Sequence, residues 1–111
     1  MQVVETETFW KWLKALRDQH GRQAILRRIA RIVSTDNFGD HAGVGDGVSE
    51  LRIDLGPGYR VYYTLRGKQV VLLLCGGAKD SQERDIRKAK EMAAELERGG
   101  ESNAFGPRRD R

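Results

Sequence analysis

The chain has 111 residues, 39% hydrophobic and 32% charged, with a net charge of +4 and a pI near 9.5. That length supports one domain with a modest core, and the apolar content is too high for a wholly disordered chain. No apolar run approaches the roughly 20 residues that span a bilayer, residues 1–10 lack a secretion-signal pattern, and the lone Cys75 excludes an internal disulfide. A cytoplasmic protein with no membrane partner is expected.

The charge is unevenly spread. Residues 1–35 hold seven Lys/Arg against three Asp/Glu, whereas residues 36–79 hold five of each. A basic first third suits RNA, DNA or an acidic partner segment. A solvated helix surface gives the same count.

Val3 and Val4 make a short apolar start, read as a strand. Phe9, Trp12, Leu13 and Leu16 recur at helical spacing, which predicts a helix over 6–18 capped by Thr6 or Thr8. Gly21 reads as a break. Ile25, Ile29, Ile32 and Val33 stripe a second helix over 22–35, with Arg22, Arg27, Arg28 and Arg31 off the stripe. Helices this close in sequence predict a hairpin. The segment 37–47 is rich in Gly and Asp and reads as a loop. It is too irregular for a phosphate-binding glycine motif.

The apolar period then becomes two. Leu51, Ile53 and Leu55 alternate with Glu50, Arg52 and Asp54, then Gly56-Pro57-Gly58 turns the chain. In the next strand Tyr59, Val61, Tyr63 and Leu65 share one face, and Arg60, Tyr62 and Thr64 the other. A strand over 69–75 is apolar on both faces and should be central. Gly76 and Gly77 leave it. A helix runs over 81–98 with Ile86, Ala89, Ala93 and Leu96 as its stripe and Asp80 and Glu83 at capping-box spacing. The polar, Gly- and Pro-containing end predicts a disordered tail over 99–111 after a domain of residues 1–98. The fold class is α+β: a four-stranded, mostly antiparallel sheet with a two-helix hairpin on one face and a C-terminal helix, in the order β-α-α-β-β-β-α.

The stretch from Val48 to Asp54, followed by Gly58-Tyr59-Arg60-Val61-Tyr62-Tyr63, resembles the centre of RelE/ParE-type toxins of type II toxin–antitoxin systems. The run from Leu72 to Gln82, with Asp85 and Ile86, is similar to their HigB-like branch, also labelled addiction module killer or plasmid-stabilisation proteins. The resemblance spans residues 1 to about 97. It implies a cognate antitoxin, often a small helix-turn-helix protein. It also implies either ribosome-dependent, metal-independent mRNA cleavage or, in the ParE-like alternative, inhibition of DNA gyrase without cleavage. Fold alone does not choose. An inactive member that binds only an antitoxin and operator DNA is a third possibility.

The residues permit the RNase reading. Attack of a 2′-OH on the adjacent phosphate needs a base, an acid and positive charge on the phosphorane. If Leu51, Ile53, Val61 and Tyr63 face the hairpin, Arg52, Arg60 and Tyr62 share the opposite face. Two guanidinium forks can bracket a phosphate. Lys79 precedes a helix start, where Gly76 and Gly77 let backbone approach a ligand. Arg60, Lys79, Arg52 and Tyr62 are therefore the catalytic candidates. By resemblance, Arg60 matches a catalytic arginine of RelE-like toxins and Lys79 loosely matches the basic position after their last strand. Arg27, Arg28 and Arg31 are RNA-binding candidates. His20 and His41 lie away from this face, and no equivalent of the C-terminal His or Tyr of some relatives stands in the last helix. Arg52 can instead pair with Asp54 or Glu50, and Arg60 with Asp54 across the hairpin. Gln82 and Asp85 can brace Lys79 or Arg60. No Cys/His metal spacing, nucleotide loop or Ser/His/Asp arrangement is present, so no cofactor is expected.

Overall fold

The computed structural model describes residues 1–100. Its elements are β1 (Gln2–Glu5), α1 (Glu7–Ala15), α2 (Gln19–Thr35), β2 (His41–Gly45), β3 (Val48–Ile53), β4 (Tyr59–Arg66), β5 (Val70–Ala78) and α3 (Gln82–Glu95). A 3-10 turn, Lys79–Ser81, leads into α3, and a wide turn, Leu96–Gly100, ends it. The expected tail falls outside the described residues from 101 onward.

The sheet has five strands in the order β1-β5-β4-β3-β2. β1 runs parallel to β5, and every other pair is antiparallel. The expectation of four strands is corrected by β2, which lies inside the segment read as a loop. Its glycines hid it, yet His41, Ala42 and Gly43 pair with Leu51, Glu50 and Ser49. An edge strand has one neighbour and tolerates such residues. The overlooked signal is Asp46-Gly47, both at positive φ (57° and 77°), the dipeptide that a two-residue hairpin turn favours. β5 is an interior strand flanked by β1 and β4, although the centre of the sheet is β4.

The starts of α1 and α2 are fixed by side chains. Thr6 Oγ1 accepts from the Phe9 N–H (3.0 Å) and donates to the Leu74 carbonyl (2.8 Å), so the cap of α1 is also tied to β5. Asp18 caps α2 through the Gly21 N–H and accepts from the Tyr59 hydroxyl at 2.7 Å. Gly21 is therefore not a break. It lies in the first turn of α2, where a Cβ would stand 2.5 Å from the Tyr59 ring.

Alternation along the strands separates two cores. Leu51, Ile53, Val61, Tyr63, Val71 and Leu73 meet Phe9 and Leu13 of α1 and Ile25 and Ile32 of α2. On the other face Val48, Tyr62, Leu72, Leu74 and Cys75 meet Ala89 and Ala93 of α3 and Leu96. Val33, counted in the α2 stripe by spacing, is instead 49% exposed. Burial pushes the Cys75 thiol up to about 12, which removes it as a nucleophile.

The β4–β5 ladder shifts register between Tyr62 and Tyr63: Tyr62 faces Cys75, while Tyr63 faces Leu73. The additional residue, Leu74, is a bulge. Beyond it Gly76 meets Trp12 and Gly77 meets Asp85; a Cβ at each would stand 2.4 Å from the Trp12 ring and 1.9 Å from Asp85 Oδ2. The space these glycines leave is thus taken by protein side chains, not kept for a ligand as their position before a helix suggested.

Gly76→Ala should lower stability by about 1–3 kcal/mol through overpacking against Trp12. Urea denaturation checks this as a lowered midpoint at unchanged slope.

Candidate functional site

The register of β3 and β4 decides which charges meet. Arg52 pairs with Arg60, Glu50 with Tyr62, and Arg60 on its other side with Gly77. Arg52, Arg60, Glu50 and Tyr62 therefore share the α3 face. The expected partnership of Arg60 with Asp54 does not form, because β3 ends at Ile53 and the residue opposite Arg60 is Arg52.

Glu50 organises this face. It is 1% exposed. Its Oε2 accepts from Arg52 Nε at 3.0 Å and lies 3.9 Å from Arg60 Nε. Its Oε1 accepts from Gln82 Nε2 at 2.9 Å, which ties the carboxylate to the first turn of α3. One buried carboxylate thus serves two guanidinium groups that would otherwise repel each other. Spacing placed Glu50 on the Arg52 face but treated it only as a surface partner. Its central role depends on α3 covering it, which alternation along one strand does not reveal.

The four catalytic candidates differ in access. Arg60 is 7% exposed, and its Nη1 donates to the Tyr59 carbonyl at 3.1 Å. Arg52 is half-buried and also stands 3.8 Å from Asp40; its guanidinium is held above its ordinary pKa chiefly by the hydrogen bond to Glu50. Lys79 is exposed and makes no ion pair among the described residues. Its N–H donates to the Gly58 carbonyl at 2.7 Å. A Cβ on Gly58 would stand 3.5 Å from Lys79 Cβ and 3.9 Å from Arg60 Nη1, so both cationic chains border one space over this glycine. Tyr62 is fully buried in the α3 core, where desolvation, then the Glu50 charge, raises its pKa. It cannot stack on a base or reach a substrate from there.

Neighbouring groups are committed to the fold. Asp85 accepts from Ser81 Oγ at 2.5 Å. Gln82 braces Glu50 rather than either cation directly. His20 lies in the first turn of α2, and His41 on the edge strand with Nδ1 2.7 Å from the Gly39 carbonyl. Neither stands in the cluster. No group of His, Cys, Asp or Glu suited to holding a metal occurs among the described residues.

The RNA-binding candidates lie elsewhere, on α2. Arg28 Nη1 donates to the Arg52 carbonyl at 2.6 Å, and its Nη2 to the Phe38 and Asp40 carbonyls at 2.6 and 2.8 Å. Its guanidinium thus fastens the loop before β2 to β3. Arg27 and Arg31 are exposed and make no ion pair among the described residues. A cavity of about 730 Å³ lies toward the other end of β4, beside Thr64, Lys90 and Leu96, away from Arg52, Arg60 and Lys79.

Residues 11–96 match the family described as Phage derived protein Gp49-like. An uncharacterized protein of Haemophilus influenzae is 46% identical over 96 residues, which cover 86% of this chain and 96% of that one. The chain belongs to the Gp49-like family, a toxin–antitoxin-associated family related to RelE- and HigB-type toxins. No helix among the described residues is long and apolar enough to cross a membrane.

Two substitutions separate the buried groups. Glu50→Gln should cost on the order of 2–4 kcal/mol in chemical denaturation, because Arg60 is left buried without a carboxylate. Tyr62→Phe should change stability by less than about 1 kcal/mol, since the hydroxyl makes no hydrogen bond to a described residue.

Proposed function

We propose that the chain is the toxin of a type II toxin–antitoxin pair and that it arrests translation as an mRNA endonuclease, cutting ribosome-bound messages without a metal. Membership of the Gp49-like family supports the toxin role and an antitoxin partner. The observation that carries the enzymatic part is the convergence of Arg60 and Lys79 over Gly58, with Arg52 facing Arg60 across the ladder.

In this reading a scissile phosphate rests on the exposed side of that cluster. Arg52 and Lys79 contact its oxygens, and Arg60 supplies fixed positive charge from below. The message's own 2′ oxygen attacks phosphorus and loses its proton to solvent, while the bond from phosphorus to the 5′ oxygen breaks. Lys79 protonates that leaving oxygen. The products are a 2′,3′-cyclic phosphate and a 5′-hydroxyl end. Fixed cations act most strongly where negative charge develops on the phosphorane. DNA, lacking the 2′-OH, is not a substrate.

One observation favours the alternative, a non-enzymatic inhibitor of DNA gyrase. The cluster has no histidine, and Tyr62 is sealed from it, so the usual acid–base groups are absent from its exposed side.

Induced expression with transcript-end sequencing separates the two. The endonuclease reading expects growth arrest with new 5′ ends inside translated messages. Lys79→Ala should reduce cleavage on the order of 10²-fold, with stability changed by less than about 0.5 kcal/mol. Arrest with intact messages and lost supercoiling would favour the gyrase reading.

A further inference from the structure

We infer that β2 is a self-pairing edge, along which a second copy of this chain adds its own β2 in antiparallel register. β2 ends the sheet and has β3 as its one neighbour. The Arg52 N–H donates to the Asp40 carbonyl at 2.9 Å, and this contact continues the register that pairs His41 with Leu51 and Ala42 with Glu50. Antiparallel ladders alternate, so the backbone groups of Ala42 face β3 while those of His41 and Gly43 point away from the sheet. Sheet edges are commonly blunted by lysine, proline or an inward-pointing charge. Residues 41–45 read His-Ala-Gly-Val-Gly and contain none of these. The bulge at Val44 bends only the far end of the strand. A Cβ on Gly43 would meet nothing within 4 Å, and the His41 ring is drawn back over its own chain, against Phe38 and the Gly39 carbonyl. Among the described residues, nothing obstructs this edge.

The charges at its two ends identify the occupant. Asp40 precedes β2, and Lys90 of α3 stands at the other end, where a Cβ on Gly45 would lie 3.1 Å from Lys90 Nζ. Each is loosely paired within the chain, Asp40 with Arg52 and Lys90 with Asp46, both at 3.8 Å. A two-fold axis through Ala42, normal to the sheet, sets His41 of one copy opposite Gly43 of the other. Outward backbone groups then meet outward backbone groups, and the glycine leaves room for the imidazole. The same axis carries the Asp40 carboxylate of each copy to the Lys90 end of the other. Asp40, opposite Arg52, shares the face that α3 covers, and this axis keeps that face common to both copies. A parallel arrangement would set like ends together and repeat the charges instead of matching them. The edge is thus its own complement, as a closed isologous contact requires. The product is one continuous sheet with five strands from each copy and both Arg52–Arg60 pairs on one side. So short a pairing gives a weak dimer whose population depends on concentration.

Sedimentation equilibrium of the full chain tests this. The apparent mass should rise from 12.6 kDa toward twice that value as concentration increases. Gly43→Pro removes an outward N–H without breaking the ladder to β3, and it should weaken dimerisation by roughly tenfold or more. Asp40→Lys should weaken it as well, and Asp40→Lys/Lys90→Glu should restore it. A cross-link reads the register separately. Ala42→Cys should oxidise in air to a disulfide-linked dimer, because the two residues face each other across the axis at bridging distance. Ser34→Cys, at an exposed position on α2, should not. The native Cys75 is buried and takes no part. A chain that stays monomeric up to about 1 mM, whether or not an extended peptide of another protein adds along β2, would overturn the inference. So would a dimer that is indifferent to Gly43→Pro and whose Ala42→Cys form links no faster than the Ser34→Cys control. Neither readout uses toxicity, so the endonuclease reading stands or falls separately.

Discussion

A single carboxylate closed between the sheet and α3 sets the geometry of the cationic face. Strand pairing places Arg52 directly opposite Arg60, an arrangement that like-charge repulsion disfavours. Glu50 makes it tolerable by lying against both guanidinium groups while Gln82 holds its other oxygen. Burial strengthens this interaction and also makes each partner costly to remove, because an unpaired charge would remain inside. The two arginines are thereby held in one place before any ligand arrives. Such preorganisation is what an electrostatic site requires.

The position of α3 follows from small residues on β5. The bulge at Leu74 turns Leu74 and Cys75 toward α3, and the two glycines beyond it admit Trp12 on one side and Asp85 on the other. Helices can then press on both faces of one strand close to its end. Lys79 leaves that strand beside Gly58, so the same packing sets the stem of its side chain on the glycine that the Arg60 guanidinium also borders. Packing and site are thus one construction: the residues that let α3 approach also decide where the charges lie.

Much of this was legible in the chain. The two periodicities predicted the helical stripes and the alternation that puts Arg52, Arg60 and Tyr62 on one face. Three features resisted, each for a physical reason. β2 was hidden because an edge strand needs little apolar content, although Asp46-Gly47 announced its turn. The burial of Glu50, Arg60 and Tyr62 was not visible because it depends on which helix covers which face, a tertiary fact. Gly76 and Gly77 suggested space for a ligand, because a glycine shows only that something approaches closely and not what does. Arg28 shows the converse: its off-stripe position suggested a surface contact, but its long side chain reaches back to the carbonyls of Phe38, Asp40 and Arg52.

The chain belongs to the Gp49-like family, a toxin–antitoxin-associated family related to RelE- and HigB-type toxins. The claim beneath the account is energetic coupling between Glu50 and Arg60. A double-mutant cycle with Glu50→Gln and Arg60→Gln, read by equilibrium denaturation, measures it directly. The account predicts a coupling of about 1 kcal/mol or more in favour of the pair. Additive effects, with a coupling near zero, would show that the carboxylate does not hold this arginine, and the preorganised cationic face would lose its basis.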